Sequence, residues 1–236
     1  MVSTKTEIEK AAIKGPIKDL MTRISNFFIT FMQDKWSVME TSKVTLSPQE
    51  WALVQDPSVI FTKNLVIEKV YALMGQVAES YLQVTAGIAA AEKGDWLRWT
   101  PKISKGERYL DLPWVMLDYP RYYAEDNTRA MRSFFSWGNG FSLHLILQGS
   151  SRDYWLENIS RWKKDAKPGW MLDMSDNPWQ HHYDMRRLVP VSAAREEDLK
   201  QQSFIKYSCW QPLTDWEKIP AIWTEIFSEW IKIPGI

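Results

Sequence analysis

A chain of 236 residues, 45% of them hydrophobic, has the apolar content for a sizeable core, which excludes a disordered or low-complexity protein. Its 29 basic and 29 acidic residues cancel, so it lacks the basic excess by which dedicated nucleic-acid binders neutralise phosphate. The single cysteine, Cys209, excludes an intramolecular disulfide and suits a reducing compartment.

The opening residues read as helix, interrupted at Gly15-Pro16 and resumed with Ile17, Leu20, Ile24, Phe27, Phe28 and Phe31 on one face. Mixed charge in the first ten residues gives no secretory leader. Ser47-Pro48-Gln49-Glu50 is a capping box that opens a short helix ending near Gln55. Asp56-Pro57 opens a longer one, with Ile60, Ile67, Tyr71, Met74, Ala78 and Tyr81 at helical spacing and Val66, Val70, Leu73 and Val77 widening the stripe. So broad an apolar surface belongs in the centre of the fold or in a homodimer interface through helix 57–85.

Residues 92–107 read as a polar connection carrying Trp96 and Trp99. Residues 109–119 read as a strand, 131–137 as a second, Gly138-Asn139-Gly140 as a turn and 141–148 as a third. In the third, Phe141, Leu143, Leu145 and Leu147 alternate with Ser142, His144, Ile146 and Gln148. That pattern predicts one buried face, with the His144 imidazole turned to a cavity or to solvent. Ser150 is expected to cap a helix reaching about Lys164. Residues 170–187 read as a long ordered loop, a kind often functional in compact domains. Leu188 to Val191 reads as an edge strand, 195–202 as helix and 204–210 as strand. Thr214-Asp215-Trp216-Glu217 reads as another capping box before a last helix that starts near Pro220.

The fold class is therefore α+β. A mostly antiparallel sheet of about four to six strands, centred on the 131–148 hairpin, packs against N-terminal helices and a C-terminal helix. The reading is one domain over 1–236, helical in 1–92 and sheet-bearing in 107–236, cytoplasmic and without a membrane segment, since no apolar run approaches the ~20 residues that span a bilayer.

Glycine-rich phosphate loops, dinucleotide fingerprints and the G-x-S-x-G elbow are missing. Cys209, in an apolar run, reads as a buried inert thiol. Arg161, Lys163, Lys164 and Lys167 suit a helix C-terminus, which accounts for them without nucleic acid. Most of the 14 tryptophans read as structural, with a few at a pocket wall. Two functional readings remain. The preferred one is a non-catalytic module that binds a small anionic or aromatic ligand, or a protein, without a cofactor. Its pocket would be lined by Trp114, Trp137 and His144, with Asp118, Arg121 and Arg132 at the strand end and an arginine as anion anchor. The alternative is a metal-dependent hydrolase or oxygenase holding zinc or iron on His144, one of His181 and His182, and Asp184. The sequence carries no H-x-D or H-E-x-x-H spacing that would arrange those ligands in advance, and nothing in it decides whether a reaction is catalysed.

Overall fold

The alternation in residues 141–148 becomes the middle of a seven-stranded sheet in the structure, a computed structural model that describes residues 45–88 and 94–233. The helix expected over 17–31 lies outside the described residues. The chain divides into two units, Met1–Val59 and Ile60–Ile236. In the first, α1 (Pro48–Gln55) starts at the expected capping box. Ser47 Oγ accepts from Glu50 N–H at 3.3 Å and the Glu50 carboxylate accepts from Ser47 N–H at 2.6 Å. A second helix, α2 (Pro57–Ala86), crosses the division, and its inward residues from Ile67 to Thr85 belong to the second unit.

The second unit is α+β and its sheet is wholly antiparallel. Its strands are β1 (Lys102–Tyr109), β2 (Leu112–Tyr123), β3 (Thr128–Ser136), β4 (Gly140–Gln148), β5 (Met171–Asp173), β6 (Leu188–Pro190) and β7 (Phe204–Gln211). Their order is β1-β2-β3-β4-β7-β5-β6. Seven strands exceed the four to six expected because β1 lies mostly inside the supposed polar connection and β5 inside the supposed loop over 170–187. The β1 sequence, KISKGERY, is mostly charged or polar and half exposed, as an edge strand is when its open hydrogen-bonding side must resist pairing with other chains. The single strand expected over 109–119 is broken by a two-residue turn. Leu110 and Asp111 both have positive φ, 52° and 61°, the condition for a tight hairpin turn, here met without glycine. The edge strand expected over Leu188 to Val191 forms over Leu188–Pro190 and closes the other end of the sheet.

The helices are α3 (Ser150–Glu157), α4 (Ile159–Asp165), α5 (Glu196–Gln201) and α6 (Ile219–Trp230). Two capping expectations are corrected. Gly149, not Ser150, is the N-cap of α3, with φ 58°, and a Cβ there would meet the Asp126 carbonyl. Residues 213–218 form a 3-10 turn with no side-chain cap, and Pro220 sits in the first turn of α6, where its missing N–H costs nothing. Among the described residues no helix is long and apolar enough to cross a membrane.

One side of the sheet carries Val115, Leu117, Met131, Phe135, Phe141, Leu143, Leu145, Leu147, Ile205 and Tyr207, buried under α2, α3, α4 and α6 in one apolar cluster. Tyr81 of α2 stacks on Phe227 of α6 with centroids 3.9 Å apart and meets Ser133 Oγ at 3.0 Å. The other side is buried as well. Every residue of β4 from Gly140 to Leu147 is buried, so the face of His144, expected to meet a cavity or solvent, is covered. Residues 174–187 form the second cover, and Met174 N–H donates to Arg187 O at 2.8 Å where the segment begins and ends.

Candidate functional site

The second face is polar because one lateral row across the sheet is polar. Antiparallel register sets Asp118 beside Arg132, Arg132 beside His144, His144 beside Ser208 and Ser208 beside Met171. Side chains of one such row share a face, so four adjacent strands contribute neighbouring polar groups and a fifth contributes Met171. Asp118 and Arg132 form a two-pronged ion pair, Nε to Oδ1 at 2.7 Å and Nη2 to Oδ2 at 3.0 Å. His144 lies between two hydroxyls, Nδ1 to Ser208 Oγ at 2.9 Å and Nε2 to Ser142 Oγ at 2.9 Å.

His181 descends from the loop onto this row. Its Nε2 meets Arg132 Nη1 at 2.8 Å, its carbonyl accepts from Ser142 Oγ at 3.2 Å, and its ring centroid is 5.0 Å from that of His144. Tyr109 Oη accepts from the backbone N–H groups of His181, at 2.5 Å, and His182, at 3.1 Å, and lies 3.1 Å from His182 Nδ1. Lys206 is fully enclosed. It pairs with Asp173 Oδ2 at 3.1 Å and donates to the Gln180 carbonyl. Arg187 donates to Gln180 Oε1 and, at 3.0 Å, to the His182 carbonyl.

Proton positions follow from counting donors. The Ser142 proton goes to the His181 carbonyl, so His144 Nε2 must be the donor to Ser142 and His144 Nδ1 accepts from Ser208. A guanidinium only donates, so His181 Nε2 accepts and its proton is on Nδ1. Both rings are held neutral, their pKa values well below that of a free imidazole. Burial is the main cause, reinforced by Lys206 for His144 and by His144 for His181. Burial also lowers His182, with Arg187 adding to it. Burial pushes the Lys206 amine down to about 8 despite Asp173. The Cys209 thiol is pushed up to about 12 by burial and donates to the Gly169 carbonyl at 3.4 Å, which makes it inert.

A cavity of about 250 Å³ opens beside this network. Its polar wall is Ser142, His144, Asp173, His181, His182 and Ser208. Its apolar wall includes Met171, Met185, Leu188 and Trp210, and Tyr183, stacked on Trp210 at 4.7 Å, completes that side.

Of the residues expected to form the pocket, His144 lines this cavity and the others do not. Trp114 stacks on Phe134 at 6.2 Å and fits over Gly106, where any Cβ would strike its ring. Trp137 packs against the apolar core. Arg121 donates to the Thr100 carbonyl at 2.8 Å and lies by the Trp99 ring. The Arg132 guanidinium is engaged by Asp118 and His181. The metal-ligand set of His144, His181, His182 and Asp184 is corrected. Among the described residues no three His, Cys, Asp or Glu groups stand together to hold an ion. Asp184 turns to Arg186 at 2.8 Å and Arg187 at 3.6 Å. Ser142, Asp173, Ser208, Lys206 and Tyr109 went unread as site residues, although a lysine inside the apolar run Phe204-Ile205-Lys206-Tyr207 is itself a signal of a buried polar face.

The chain matches no protein-family model, no curated protein and no solved structure. What fold and site define is a class: an α+β protein whose antiparallel sheet has one face sealed by helices and the other, with an imidazole-lined cavity, covered by a loop.

Proposed function

We propose that the protein binds a small molecule in the cavity beside His144 and does no chemistry on it. The observation that carries this reading is the convergence of three imidazoles and two hydroxyls on one partly apolar cavity, the usual setting of a small-molecule site. At about 250 Å³ it suits a ligand below drug size, for which pockets of roughly 300–1,000 Å³ are usual.

Ser208 and His144 superficially match a nucleophile and its base. Behind the imidazole, however, stands the Ser142 hydroxyl, where activation would need a carboxylate. Taking the serine proton would create an imidazolium near Lys206 and Arg132, both of which oppose it. Hydrolysis is therefore disfavoured and binding favoured.

The test is a fragment screen followed by NMR on the full chain, paired with Leu188→Trp, which fills the cavity from the edge strand without touching a hydrogen-bond partner of the histidines. Fragments that move the resonances of His144 and Ser208 should bind Leu188→Trp at least about tenfold more weakly. Fragments that keep full affinity for the variant, or a screen that moves no cavity resonance, would refute the proposal.

A further inference from the structure

The hydrogen bonds around the cavity are unequally distributed between donors and acceptors. His144 is saturated, donating to Ser142 and accepting from Ser208. Asp173 is engaged at both oxygens, Oδ1 by the Ser175 N–H at 3.0 Å and Oδ2 by Lys206. His181 is different. With Nε2 accepting from Arg132, its proton is on Nδ1, and that atom is buried with no hydrogen-bond partner, in a residue only 4% exposed. Buried N–H groups of folded proteins are nearly always paired, so an orphan in a residue that lines the cavity calls for an explanation.

His182 adds a second donor by the same counting. Tyr109 Oη accepts from two backbone N–H groups and has one proton, which goes to His182 Nδ1. The His182 ring therefore carries its proton on Nε2. Both imidazoles line the cavity, opposite the apolar Met171, Met185 and Leu188.

Building on the binding reading above, we infer that the ligand presents a carbonyl or carboxylate oxygen to His181 Nδ1–H, with His182 Nε2–H as second donor, and lays a short apolar body against Met171, Met185 and Leu188. A donor at that end of the ligand would face two N–H groups. Sites built around particular hydrogen-bonding groups reject analogues that cannot pair with them far more strongly than they reject a missing methylene.

The experiment uses the full chain labelled with ¹⁵N at histidine and three probes of similar size: butyrate, 2-pentanone and butylamine. Long-range ¹H–¹⁵N spectra of the unliganded protein should show His181 protonated at Nδ1 and His182 at Nε2, and the reverse tautomers would overturn the inference at once. On titration, butyrate or 2-pentanone should shift His181 Nδ1 and bind at least about tenfold more tightly than butylamine. The balance between the first two then tells a charged acceptor from a neutral one. Butylamine binding as tightly as either would overturn the inference and leave the cavity reading intact, as would screening fragments that bind while all three probes fail. If neither probes nor fragments move any cavity resonance, the cavity reading itself falls. His182→Phe should remove much of the preference for acceptors, and should that variant not fold, the tautomer spectra of the native chain still decide.

Discussion

The two faces of the sheet come from the same strands, residue by alternate residue, yet they are held down by different forces. The helix face is covered by elements whose backbone hydrogen bonds are already made within themselves, so burying apolar surface suffices there. Its polar contacts include the pairs Trp223 Nε1 to Gln211 Oε1 at 2.7 Å and Trp155 Nε1 to Tyr207 Oη at 3.0 Å, and a small set in which Thr85 Oγ1 meets Tyr119 Oη at 2.8 Å. The loop face is covered by irregular chain, whose N–H and C=O groups need partners if they are to be buried. The side chains beneath supply them. Ser142 serves the His181 carbonyl, Arg187 the His182 carbonyl, Lys206 the Gln180 carbonyl, and Tyr109 the N–H groups of His181 and His182. The buried charge and the imidazoles are thus what allows a loop, and the cavity beneath it, to sit on a sheet. Such a network has high stakes, because each member leaves several groups unpaired when removed.

The largest break in this comparison is expected at the Lys206–Asp173 pair, whose side chains are 0% and 3% exposed. Asp173→Ala strands an enclosed amine and should cost about 3–5 kcal/mol in urea unfolding. Replacing both partners, Lys206→Met with Asp173→Leu, tests what the lysine is for. An ion pair with no further role can be exchanged for apolar residues at little cost. Here the Gln180 carbonyl would lose its donor and the Ser175 N–H its acceptor, so the double variant should recover only part of the loss. Full recovery would mean that Lys206 does not serve the loop.

How much of this the sequence showed follows the same division. Period-two alternation identified β4 and put His144 opposite the leucines, and the Ser47 box located α1, because both signals are local. β1 was hidden since an edge strand of charged residues has no apolar alternation to reveal it. The turn at Leu110 was hidden because neither residue is glycine or asparagine, the usual marks of positive φ. The network was hidden for a deeper reason. Asp118, Arg132, His144 and Ser208 are adjacent only through inter-strand register, and His181 reaches them only through the path of a loop. Neither relation is written in the spacing of one segment. Hence Asp184, near in sequence to His181, looked like a partner of the histidines, while Asp173 and Ser208, which line their cavity, did not.

Mild acid should separate the two faces next. His144 and His181 are neutral in the fold and titrate near ~6.5 when the chain is unfolded. Above that pH neither state takes the proton. Below it the unfolded chain binds more protons than the folded one, so stability falls as pH drops from ~6.5 toward the depressed folded values. Each imidazole contributes about 1.4 kcal/mol per pH unit, so the pair gives a loss approaching about 3 kcal/mol per unit below pH ~6. Carboxylates titrate near ~4 and lie largely outside that window. Urea unfolding at about pH 7.5 and about pH 5 measures it. Hydrogen exchange should place the first opening in residues 174–187, with the amides of β3 and β4 protected longer. A flat profile would mean that the imidazoles are not buried as neutral rings.

The smallest effect gives the sharpest comparison, because it makes the same substitution on each face. Tyr81→Phe removes one hydroxyl from the helix side, where Ser133 Oγ is its hydrogen-bond partner. Tyr109→Phe removes one from the loop side, where it receives two backbone N–H groups and faces His182 Nδ1. The apolar contacts of both rings survive, Tyr81 on Phe227 and Tyr109 on Phe134. The first change should cost about 1 kcal/mol, the usual net value of a hydrogen bond. The second should cost about 2–3 kcal/mol, since an unsatisfied buried donor costs more than a bond is worth and two N–H groups lose their acceptor together. Tyr109→Phe should also release the His182 tautomer, visible as a mixed ¹⁵N signal, while Tyr81→Phe leaves all three histidine signals unchanged. Equal costs for the two variants would show that the loop does not depend on side chains of the sheet for its backbone hydrogen bonds.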